Sequence, residues 1–160
     1  MRRFLTAGAL MTAVALAAAT AASAAVPSPS YQLGGMAFGS TFFGTGVGSA
    51  GDRATWQATV AADAATGSIT GGSFSLRSNN GSQLTGSFTG GSMSVTTAAP
   101  GCGRQQLAVS ASVSSSTGPL LFTGTLSTFR VSIRGVCRTI FSAVQGSLAP
   151  APAGGGGGDL

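Results

Sequence analysis

Beyond residue 30 the apolar side chains recur at every second position. Trp56, Ala58 and Val60 alternate with Thr55, Gln57 and Thr59. Leu107, Val109, Ala111 and Val113 alternate with Ala108, Ser110 and Ser112, and Leu120, Phe122 and Leu126 sit opposite Thr123 and Thr125. Period two belongs to strands with one covered face and one wet face. After the first two dozen residues no stretch keeps a 3.6 period built from good helix formers. The pattern predicts an all-β domain.

A repeated segment refines this. "TGSITGGSFSL" at 66–76 returns as "TGSFTGGSMSV" at 85–95. Within each copy the apolar parity flips, from Ile69 to Phe74 and Leu76, and from Phe88 to Met93 and Val95. A regular strand that changes parity turns half of its apolar set toward water. Gly71-Gly72 and Gly90-Gly91 stand at the two flips, where glycine admits either a tight hairpin turn or a bulge that bends one long strand. Between the copies, an Asn79-Asn80-Gly81 loop pairs Leu76 with Leu84. That favours two long strands, each with a glycine kink, and makes the repeat architecture rather than a binding motif.

Further turn signals at "GSAGDR", "ADAATG", "AAPGCG" and "SSSTGP" divide the rest of the chain. Their spacing predicts about eight antiparallel strands joined mostly as a meander, in a single small barrel or sandwich. Phe38, Phe42, Trp56, Phe74, Phe88, Phe122 and Leu126 are core candidates.

The ends read differently. Arg2 and Arg3, the apolar run "FLTAGALMTAVALAAA" and Ala22-Ser23-Ala24 make residues 1–24 a secretory signal peptide. Residues 25–30 are a flexible lead-in, 31–148 the β-domain, and "APAPAGGGGGDL" at 149–160 an unstructured tail. Removing 1–24 leaves six Arg and three Asp, a charge of +3. Arginine without lysine and the Ala-rich leader suit a bacterial protein, secreted or periplasmic. In that compartment Cys102 and Cys137, the only cysteines, are expected to form a disulfide.

Composition then removes most chemistry. With no His, Ser-His-Asp and Cys-His arrangements are impossible, and no four-ligand zinc site can be assembled from two cysteines. Lys and Glu are absent, which leaves Asp52, Asp63 and Asp159 as the side-chain carboxylates. Asp52 and Asp63 flank one strand, on the order of 36 Å apart when extended, so they cap turns rather than form a catalytic pair. The expectation is a protein that is not an enzyme and uses neither metal nor cofactor.

Two features could bind. In "FRVSIRGVCR", Arg130, Arg134 and Arg138 share parity, with Phe129, Val131, Ile133 and Cys137 opposite. This predicts an outward arginine stripe suited to an anionic partner, or a solvated face that discourages edge pairing. The barrel interior, rich in small residues, could hold a small ligand. With one Tyr, one Trp and no basic–aromatic interleaving, nucleic acid is not an expected partner. The functional expectation is a secreted domain that binds a small molecule or an extracellular surface component. Its alternatives are a self-associating adhesive surface protein and a small outer-membrane barrel. Insertion in a membrane is disfavoured by the polar glycine tail and the lack of recognisable aromatic girdles.

Overall fold

The turn signals become the reversals of an eight-stranded closed barrel, seen in a computed structural model that describes residues 29–98 and 100–152. The strands are β1 (Tyr31–Phe38), β2 (Thr41–Gly48), β3 (Arg53–Ala62), β4 (Ile69–Ser78), β5 (Gln83–Ala98), β6 (Gln105–Ser115), β7 (Gly118–Ile133) and β8 (Val136–Pro150). Each pairs antiparallel with its sequence neighbour, and β1 pairs with β8 to close the ring. Closure gives every strand of the ring a neighbour on each side. The expected leader and residues 153–160 of the expected tail lie outside the described residues, while Ala149 and Pro150 belong to β8.

Alternation decides what fills the ring. Leu33, Trp56, Phe74, Leu76, Leu84, Ala111, Val113, Leu120, Leu126 and Leu148 are buried in one core, with Phe42, Phe88 and Phe122 packed against it. Six of the seven expected core residues thus face inward. Phe38 does not. The inward set of β1 is Tyr31, Leu33 and Ala37, so Phe38 takes the opposite parity and is 47% exposed.

Aromatic rings fill the room left by small interior residues. Phe122 lies over the cross-strand pair Gly124–Gly146, where a Cβ on either glycine would fall within 3 Å of its ring. The Trp56 ring covers Gly35 in the same way, and its Nε1 donates to the Gly34 and Thr45 carbonyls at 3.2 and 3.1 Å.

The repeat builds two equivalent bulges. Ile69 and Phe74 are both buried in β4 although their parities differ, and the β3–β4 register shifts beside Gly71-Gly72. In β5 the shift falls between Phe88 and Gly90. Gly72 and Gly91, the second glycine of each pair, have φ of 136° and 147°. The hairpin alternative is excluded, because the reversal between the copies is at Gly81, with Leu76 opposite Leu84. The bulged segments face each other across a short β4–β5 ladder. Among the described residues it joins Ser73–Arg77 to Gln83–Ser87, and a single Ser68–Ser92 bridge closes it beyond the bulges.

Candidate functional site

The barrel has two unlike ends. At the end where β1 begins, Asp52 accepts hydrogen bonds from the Ser78 hydroxyl and, at 3.3 Å, from the Tyr31 hydroxyl. Ser78 is buried there, and burial, followed by the Asp52 charge and hydrogen bond, raises the Tyr31 phenol above its ordinary pKa of 10.0. The cluster holds no general base beyond this carboxylate, and its donors are spent on one another. It ties three strand ends together. Arg53 and Arg77 border a shallow outer depression of about 620 Å³ nearby.

At the other end the wall is uneven. The β6–β7 ladder stops at Gln105–Thr128 and the β1–β8 ladder at Ala37–Ser142, but β7 and β8 continue together to Ile133–Val136. A two-stranded ribbon therefore stands beyond the ring by roughly 15 Å, at about 3.3 Å per residue. The disulfide Cys102–Cys137, Cα–Cα 5.3 Å, ties this ribbon to the β5–β6 loop.

Register sorts the ribbon's side chains, since directly paired residues share a face. Phe129 pairs with Phe141, Val131 with Arg138, and Ile133 with Val136. These continue the outer face of the barrel. Arg130 pairs with Thr139 and Ser132 with Cys137, on the inner side. The expected stripe is therefore broken. Arg138 is outward and Arg130 inward, because the register shifts between Phe129 and Arg130 and leaves Ile140 unpaired. Arg134 occupies the tight turn with Gly135, at φ of 53° and 77°. The three arginines share one ribbon but not one face.

The outer face holds an aromatic row that sequence inspection missed. Phe129 and Phe141 stack with centroids 4.4 Å apart, Phe141 meets Phe38 at 6.3 Å, and Phe38 stacks on Phe43 at 6.0 Å. The Arg104 guanidinium lies 4.5 Å from the Phe129 ring centre. Row and ribbon are continuous. Among the described residues nine large apolar side chains are exposed; eight of them lie on β7, β8, β1 and β2, and Val95 lies on β5. The row could not be read along the chain, because its members come from four strands and meet only through ring closure.

Charge gathers at the same place. Arg104, Arg130, Arg134 and Arg138 all sit at this end, on the β5–β6 loop and the ribbon. Its one described carboxylate, Asp63, is in the β3–β4 turn, across the ring, where it accepts the Ala65 amide at 2.8 Å. The interior offers less. An apolar space of about 40 Å³ remains among residues such as Trp56, Phe74, Phe88 and Met93. That is far below the roughly 300 Å³ or more of a small-molecule site. Among the described residues no three His, Cys, Asp or Glu converge to hold a metal.

Comparison of the chain with protein-family models, curated proteins and solved structures finds no match.

Proposed function

We propose that this closed barrel is an exported, non-catalytic binding domain that engages an anionic surface component through its ribbon end. The observation that carries this reading is the coincidence of four arginines with the aromatic row and the exposed Val131, Ile133, Val136 and Ile140 at the ribbon end of a ring whose interior is already full. A disulfide suits an oxidising, extracytoplasmic compartment. Spanning a membrane is the poorer alternative. The outward positions of β3 to β6 include Thr55, Gln57, Thr59, Ser73, Ser75, Thr85, Ser87, Ser110 and Ser112, the reverse of a transmembrane band.

The test is retention of the processed chain on immobilised dextran sulfate, together with its native mass. Salt-sensitive retention that disappears in an Arg130→Gln/Arg134→Gln/Arg138→Gln variant is expected, with no small molecule in the native mass. A stoichiometric small molecule without retention would instead return weight to an interior ligand.

A further inference from the structure

We infer that the anionic partner is a lipid bilayer surface, with the β7–β8 ribbon lying in the headgroup region and its outer face against the acyl boundary. This rests on the surface-binding reading and deepens it. A purely polar polyanion would need only the arginines, and it gives no reason for the apolar side chains standing among them. Ile133 and Val136 are 49% and 57% exposed at the very tip, paired with each other on the outer face. Behind them come Val131 and Arg138, then the stacked Phe129 and Phe141. Apolar side chains in the acyl boundary with arginines at headgroup level is the arrangement of interfacial anchors.

The turn supplies an independent observation. A two-residue hairpin turn with both φ positive strongly prefers Asn, Asp or Gly at its first position. Here that position is Arg134, held at φ 53°. An arginine in this conformation is strained relative to the residues that fit it, and such outliers persist where the side chain has a use. At the tip, its guanidinium is placed to meet a negative surface first.

Charge also selects against a second copy as the occupant. A two-fold contact through this face would bring Arg134 and Arg138 of one chain close to the same residues of the other, with no carboxylate on the ribbon to offset them.

Sedimentation with large unilamellar vesicles separates the outcomes. One set is phosphatidylglycerol mixed with phosphatidylcholine, the other phosphatidylcholine alone, and soluble dextran sulfate serves as a lipid-free polyanion. The processed chain is expected to pellet with the anionic vesicles only. Arg134→Asn is expected to raise the unfolding temperature yet weaken vesicle binding about fivefold, the contribution of one arginine near an anionic surface. A folding defect cannot mimic that pair of results. Ile133→Ser/Val136→Ser is expected to weaken vesicle binding on the order of tenfold and leave dextran sulfate binding unchanged. If the chain binds dextran sulfate but vesicle binding ignores the Ile133/Val136 change, the lipid inference fails and the surface-binding reading stands. Binding to neither probe overturns both. Dimerisation abolished by Ile133→Ser/Val136→Ser would show the face to be a contact between copies, and would also overturn the inference.

Discussion

Gly71 and Gly72 are chemically identical neighbours with opposite tolerances. Gly72 sits at φ 136°, and a Cβ there would clash with the Thr59 carbonyl oxygen, a backbone atom that cannot swing aside. A Cβ on Gly71 would meet open space. Gly72→Ala is expected to cost about 2–4 kcal/mol in denaturant unfolding, against less than about 0.5 kcal/mol for Gly71→Ala. Equal costs would show that the bulge does not depend on the left-handed backbone at Gly72. Tyr31 provides a second residue-scale test. Burial, then Asp52, favours its neutral form in the folded chain, so its folded pKa is the higher one. The stability it contributes is fully present below the ordinary value of 10.0 and is lost as pH rises through the raised folded value. Unfolding midpoints taken from pH 8 upward should therefore fall above pH 10, and Tyr31→Phe should flatten that fall.

At the scale of elements, the ribbon is the exception in a structure otherwise secured by neighbours. The β3–β6 wall has partners on both sides, whereas β7 beyond Thr128 and β8 before Ser142 have only each other. An isolated two-stranded hairpin is marginal in water. The Cys102–Cys137 bridge offsets this, with a sequence separation of 35. Reduction is expected to lower global stability by about 4 kcal/mol in the loop-entropy model. It should also open residues 129–141 to limited proteolysis before the β1–β4 wall is cut. Cleavage that begins in β1–β4 would show that the bridge does not secure the ribbon.

Over the whole molecule, apolar surface is divided into two populations with different roles. The inner one is packed by Trp56, Phe74 and Phe122 to a residual space of about 40 Å³. The outer one is concentrated on a single sector, where Phe38, Phe43, Phe129 and Phe141 form a row. Scattered exposed apolar residues are ordinary on a protein surface, but a contiguous patch marks an interaction site. Four arginines stand beside that patch, which is why the partner proposed above is anionic, and a hydroxyl-lined wall on β3 to β6 leaves the remainder of the exterior suited to water.

The sequence by itself determined the all-β class, the positions of most reversals and the two glycine pairs at which the apolar parity flips, while the strand register showed those flips to be bulges rather than hairpin turns. The first three follow from period two, from glycine at each parity change and from turn residues such as Asn79-Asn80-Gly81, all local causes. It also placed six of seven core residues, because parity within a strand fixes facing once one member is known. Phe38 failed because β1 is short and carries glycines at 34 and 35, so its apolar pattern is ambiguous until Tyr31 and Leu33 are seen inside. The Cys102–Cys137 pairing needed only the absence of any other cysteine. What the tertiary structure alone decided was the site. One unpaired residue, Ile140, turned a matching parity of arginines into two faces and a tip. Joining β1 to β8 brought Phe38 and Phe141 together across about a hundred residues of chain. Alternation along a strand reports facing, but only the closure of the ring decides which outward residues become neighbours.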